Sequence, residues 1–167
     1  MSVSTFTYTR THTATYVADN MRNQLKRIIQ AAGLSPEDLA DSWNVLGEAV
    51  RTWLRSGHLR KVILEFYKPG SDKLEGRWDF DIDYDGSGVD DDMWVDREHL
   101  RRTIEKAGQP PPGCVYRVVL RHDPEAPMVT GMSSTDLRAT DGFTSRAAGT
   151  SIATSDIMAG LNYWRRS

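Results

Sequence analysis

The densest concentration of potential chemistry in the chain is the acidic run Asp81-Ile82-Asp83-Tyr84-Asp85-Gly86, followed by Ser87, Gly88 and Asp92. Carboxylates at the first, third and fifth places, glycine at the sixth and a carboxylate at the twelfth are what an EF-hand loop offers calcium, a hard cation that takes oxygen ligands. An EF-hand also needs a helix leading into the loop. Here the entering residues alternate with period two, with Trp78, Phe80, Ile82 and Tyr84 on one face and Asp79, Asp81, Asp83 and Asp85 on the other. The eighth place is Gly88 rather than an apolar residue, and Asp92 is shorter than the usual Glu. The pattern predicts a strand with one core face and one wet, acidic face that enters a Gly-containing turn. A calcium-dependent binding module built on residues 81–92 stays open as the alternative.

Other chemistry has no local signature. Nucleophilic catalysis would need a G-x-S-x-G elbow or a cysteine with a partner, yet Cys114 falls alone in a predicted strand. His12, His58, His99 and His122 are dispersed without an H-E-x-x-H pair, and the phosphate-binding glycine loops are missing. The residues therefore predict no enzyme, no cofactor and no metal; an enzyme with a dispersed site is the remaining alternative of that class. Arg51, Arg55, His58, Arg60 and Lys61 with Trp53 form a small basic patch, which reads as a helix end complementing its dipole. From Asp72 to Glu98 eleven acidic residues face three basic ones. Nucleic acid would be repelled there.

The 167 residues fit one domain with a real core, and 39% hydrophobic with 26% charged residues is a globular balance, not a disordered one. No apolar run approaches the roughly twenty residues that span a bilayer, and no signal-peptide pattern is visible, so a cytoplasmic protein without a membrane partner is expected. A single cysteine excludes an internal disulfide.

The elements that must position any site can be read from periodicity. Threonines alternate with Phe6, Tyr8, Arg10 and His12 over residues 5–13, which predicts an extended start. Val17, Met21, Leu25, Ile28 and Ala32 then form one helical stripe that Gly33 stops. Ser35 as N-cap and Pro36 at the first helical position open a second helix carrying Leu39, Trp43, Leu46, Val50, Trp53 and Leu54, ending near Gly57. Val62, Leu64 and Phe66 alternate in a strand, and Lys68-Pro69-Gly70-Ser71-Asp72 turns the chain into the acidic strand. Asp96 caps a third helix through Leu100, Ile104 and Ala107, and a third strand follows over 114–122. After Pro127 no period is sustained, and 16 of 41 residues are Ser, Thr or Gly. Scattered anchors, among them Phe143, Ile152, Ile157, Leu161 and Trp164, predict a segment that lies on a surface rather than a solvated linker.

Three stretches, T-Y-T-R-T-H-T-A-T-Y-V-A-D over 7–19, R-T-W-L-R-S-G-H-L over 51–59 and W-D-F-D-I-D-Y over 78–84, resemble the bacterial HORMA domain family, and the order of elements agrees over nearly the whole chain. The resemblance implies an α+β fold with three helices packed on an antiparallel sheet and a C-terminal safety belt. It implies one domain over 1–167, with a core at 1–126 and a belt at 127–167 able to repack between open and closed states. The function it implies belongs to cyclic-oligonucleotide-based antiphage signalling (CBASS). In it, the protein closes on a closure-motif peptide, the closed form activates a cGAS/DncV-like nucleotidyltransferase, and a AAA+ remodelling ATPase opens it. On this reading the peptide adds to the strand at 114–122 and is held by Val115, Arg117, Val119, Arg121, Phe143 and Ile152. The remodelling ATPase would grip the N-terminus at Thr5, Thr7, Tyr8 and Arg10.

Overall fold

The computed structural model describes residues 3–84 and 93–167, the side chains of 3–9 excepted. In chain order the elements are α1 (Val3–Ala31), α2 (Glu37–Ser56), β1 (Leu59–Tyr67), β2 (Gly76–Asp83), β3 (Trp94–Val95), α3 (Arg97–Ala107), β4 (Val115–His122), β5 (Phe143–Ala153) and β6 (Met158–Arg166).

The alternating threonines do not make an extended start, because α1 runs as helix from Val3. Within a helix a threonine hydroxyl can bond back to the preceding turn, as Thr13 does to the Arg10 carbonyl (3.2 Å) and Thr15 to that of Thr11 (3.0 Å). Once the strongly amphipathic half is formed, extending the helix costs little. That half buries Val17, Ala18, Met21, Leu25, Ile28 and Ile29. The start of α2 differs by one residue from the expected one: Pro36 is the N-cap and Glu37 the first helical residue, no side chain among the described residues caps the helix, and the Ser35 hydroxyl accepts from the Glu37 N–H (3.3 Å) in the turn that leads in. Gly57, at φ 74°, ends α2 in the left-handed region, and the His58 N–H reaches back to the Trp53 carbonyl (2.8 Å). Asp96 caps α3 by accepting from the His99 N–H (2.9 Å).

All strand pairings are antiparallel, in one sheet ordered β3-β5-β6-β2-β1-β4. The core cluster joins the helices to Leu64, Phe66, Trp78, Phe80 and Leu161. Each large side chain taken out of water there contributes about 1.5–3 kcal/mol. Among the described residues no helix is long and apolar enough to cross a membrane.

The acidic face of β2 is not uniformly wet: Asp79 is 2% exposed. Strand β2 lies inside the sheet between β1 and β6, so Asp79 is enclosed by its neighbours' side chains. It accepts from Arg77 (2.7 and 3.1 Å) and the Trp164 indole (3.1 Å), and Lys61 Nζ lies 3.6 Å away. The segment after Pro127 is likewise only partly irregular. Residues 127–142 hold no helix or strand, but β5 and β6 form a hairpin whose Ile152, Ala159, Leu161 and Tyr163 enter the main core. Gly149, at φ 81°, sits where the β5–β6 register shifts, and this break hides the period.

Candidate functional site

Strand β4 ends the sheet, pairing with β1 alone. Its free side therefore carries the unpaired backbone groups of a sheet edge. Among the described residues no backbone hydrogen bond joins β4 to the segment that follows, yet that segment arches over it.

The arch begins at Asp123, whose carboxylate accepts two bonds from Arg60 (2.8 and 2.6 Å). Those bonds hold the Asp123 carboxyl below its ordinary pKa. The Trp53 indole of α2 then donates to the Pro127 carbonyl (2.7 Å), Val129 and Met132 pack against the core, and Gly131 lies on Val45. Beyond the β4 edge the segment descends on the opposite face of the sheet. Arg121 donates to the Thr135 carbonyl (3.1 Å) and Arg117 to that of Asp136 (2.6 Å).

The far end is fastened to Glu65 of β1, which is wholly buried. Its carboxylate accepts from Arg117 Nε (2.6 Å), Arg138 Nη1 (3.0 Å) and the Arg138 backbone N–H (2.8 Å). Arg138 also donates to the Ser71 carbonyl and stacks over the Tyr67 ring at 3.6 Å. A carboxylate removed from water needs charge-assisted bonds of this kind to offset its desolvation. Arg138 thus clips the segment across the sheet.

Between arch and edge lies a groove of about 410 Å³. Strand alternation gives it two unlike walls. The Tyr116 hydroxyl reaches the α2 start at Ser35 and Leu39, and the His122 ring packs on Trp53 at 4.2 Å, so the even-numbered residues of β4 face the helices. Val118 and Leu120 share that wall with Trp53, Val129 and Met132, whereas Val119 and Arg121 belong to the other wall with Thr135 and Asp136.

Of the residues expected to hold a peptide, Val119 and Arg121 line this groove and Arg117 braces its far rim. Val115 lies on the same β4 face, paired opposite Tyr67. Phe143 and Ile152 are not brought there. Three strands separate β5 from β4; Ile152 is fully buried, and Phe143 lines a different cleft, of about 520 Å³, beside Pro111 and Trp164. Glu65 and Arg138 were not singled out by sequence reasoning, although one acid inside the run Val62-Ile63-Leu64-Glu65-Phe66 is a signal that a buried charge awaits a partner.

At the N-terminus, Thr5, Thr7 and Tyr8 lie on the first turns of α1. Arg10 pairs with Asp156 in the turn between β5 and β6 (2.6 Å) and lies over the Tyr84 ring. Gln24 of α1 and Ser151 of β5, both buried, are bonded to each other, so α1 straps the hairpin at two points.

Of the calcium-type run, Asp85, Gly86, Ser87, Gly88 and Asp92 lie outside the described residues. Asp81 accepts from Asn162 and pairs with Lys61 (3.2 Å). Calcium would have to displace that lysine, so millimolar calcium is expected to leave the melting temperature unchanged. A rise of many degrees, abolished by Asp83→Asn, would reinstate the cation site. Of the dispersed polar candidates, His99 contacts the Ala148 carbonyl, His58 Nδ1 is buried with no hydrogen-bond partner among the described residues, and Cys114 is buried, which pushes its thiol pKa up.

A family model described as "Bacterial HORMA domain 2" matches residues 1–167. No curated protein matches by sequence. Among solved structures, a chain of the mitotic checkpoint complex superposes with a TM-score of 0.74 at 14% identity, over 93% of this chain and 99% of that one. C. elegans HTP-2 bound to a HIM-3 closure motif gives 0.56 at 17% identity, over 80% of this chain and 72% of that one. A chain of the E. coli MS115-1 CdnC:HORMA-deltaN complex gives 0.57 at 16% identity, over 92% of this chain and 87% of that one. At these identities the likeness is one of fold.

Proposed function

We propose, from the premise that this chain belongs to the bacterial HORMA domain 2 family, that it is a peptide-binding conformational switch and an adaptor rather than an enzyme. An extended closure-motif peptide adds to the β4 edge, and residues 126–141 close over it as the safety belt. The arrangement described above corresponds, in this reading, to the closed state. The observation that carries it is that β4 is an edge strand roofed by a segment that, among the described residues, is bonded to it through β4 side chains and not through backbone pairs, which leaves the edge's backbone groups for a guest. HTP-2 held by a closure motif supports the guest's nature.

The closed form activates a cGAS/DncV-like nucleotidyltransferase in antiphage defence, a step supported by the CdnC:HORMA complex of the E. coli relative. The test is reconstitution of the purified chain, a groove-binding peptide and the cGAS/DncV-like enzyme from the same operon. Cyclic-oligonucleotide synthesis should require both chain and peptide. Synthesis that ignores the peptide would contradict the switch.

Opening is the work of a AAA+ ATPase that pulls the N-terminus, with Thr5, Thr7, Tyr8 and Arg10 as the grip. Force applied there reaches the C-terminal hairpin first, because Arg10–Asp156 and Gln24–Ser151 tie α1 to it. Deleting residues 2–9 should leave the melting temperature within a few degrees of the parent, since the buried residues of α1 from Thr13 and Ala14 to Ile29 all remain. The same deletion should abolish ATP-driven opening, followed as peptide release. Undiminished release from the truncated chain would refute the N-terminal grip.

A further inference from the structure

The two walls of the β4 groove differ in a way that specifies the guest. The wall toward α2 is apolar, with Trp53, Val118, Leu120 and Met132. The other is polar, with Arg121, Thr135 and Asp136, and at its rim Arg117 donates to the Asp136 carbonyl. Arg117 and Arg138 are committed to Glu65. Arg121 is not; among the described residues its one hydrogen bond goes to a neutral carbonyl, that of Thr135, and no carboxylate lies within ion-pair distance. A guanidinium facing a groove with only a neutral acceptor is prepared for an anionic partner.

We infer that the β4 groove selects an extended peptide with apolar residues two positions apart, pointing at Trp53, Val118 and Leu120, and an Asp or Glu on the intervening face opposite Arg121. The inference rests on the peptide-binding reading above and adds the guest's chemistry. A strand added to β4 must alternate its side chains between the two walls, so the pattern apolar-x-apolar-acid follows from the parity of β4 itself. Arg121 then gains a carboxylate, and the apolar pair fills the wall that water would otherwise wet.

The test is selection from a random displayed 12-residue peptide library on the full-length chain and on Arg121→Glu. The parent should enrich apolar residues at alternate positions with an acid on the opposite face, and the variant should enrich Lys or Arg in the acid's place. In fluorescence anisotropy, Arg121→Glu should weaken the best acidic peptide by about tenfold or more. Exchanging that peptide's acid for Lys should restore affinity for the variant. Selected peptides with no acid preference, or equal affinity for both chains, would overturn the inference while leaving peptide binding intact. Failure to enrich any peptide would overturn both.

Discussion

Replacing Glu65 by Ala is expected to lower unfolding stability by about 3 kcal/mol or more, because it strands two guanidinium groups around a site that excludes water. For a chain of this size that corresponds to a fall in melting temperature of about 6–12 °C. The cost is concentrated because the carboxylate has no solvent to fall back on and joins three elements, β1, β4 and the arching segment, through three bonds. Arg138→Ala should divide the effect differently. Glu65 keeps Arg117 and the 138 backbone N–H, so global stability falls less, but the arch loses its bonds to Ser71 and its stacking on Tyr67. Elastase should then cut within 126–141 several times faster than in the parent. Denaturant unfolding of Glu65→Ala together with limited proteolysis of Arg138→Ala checks both. A Glu65→Ala protein as stable as the parent, or an arch no more cleavable without Arg138, would show that this clip does not hold the segment down.

The second large effect concerns the groove's apolar wall. Val118 is half-buried and faces the free space, so an indole in its place occupies the volume a guest side chain needs. Val118→Trp is expected to reduce peptide affinity about thirtyfold or more, the scale of losing one central interface anchor worth about 2 kcal/mol. Because the added ring enters an open groove rather than a filled core, stability should change by less than the 1–3 kcal/mol typical of overpacking. Anisotropy with a selected peptide and a thermal melt on the same sample separate these outcomes. Unaltered affinity would place the guest somewhere other than beside Val118.

Much of the scaffold was legible because its signals are local. Gly57 ends α2, Asp96 caps α3, and the turn at residues 68–72 joins β1 to β2, each through chemistry contained within a few residues, and the start of α2 at Pro36 falls within one residue of the expected one. The threonine alternation misled because a period of two over residues 5–13 competes with helix propagation from the far stronger stripe that follows. The β5–β6 hairpin was obscured by its own composition, for the first half of β5 is exposed and Gly149 interrupts its register. Ala159, Leu161 and Tyr163 do keep the two-residue spacing in β6, a short signal diluted by polar neighbours. The candidate groove was half legible. An edge strand at β4 suits its mixed faces, but which segment roofs it depends on pairings such as Glu65 with Arg138, 73 positions apart, that no local pattern encodes.

The same topology explains why Phe143 and Ile152 were natural choices as peptide contacts and lie elsewhere. Both belong to the C-terminal segment and both are apolar, but the chain crosses the whole sheet between β4 and β5 before it pairs again. The stretch that covers the groove is therefore 126–141, poor in regular structure and held by side chains. Such a segment can detach without dismantling the sheet, as a two-state element requires.

Hydrogen–deuterium exchange on the full-length chain, with and without a saturating selected peptide, reads out whether a guest strand pairs with β4 beneath the arch. New protection is expected at the amides of residues 115–122, where a guest strand would pair, and slower exchange over 126–141, with little change in α3 or in the β5–β6 hairpin. Protection confined to other surfaces, with residues 115–122 exchanging as fast as before, would contradict that pairing.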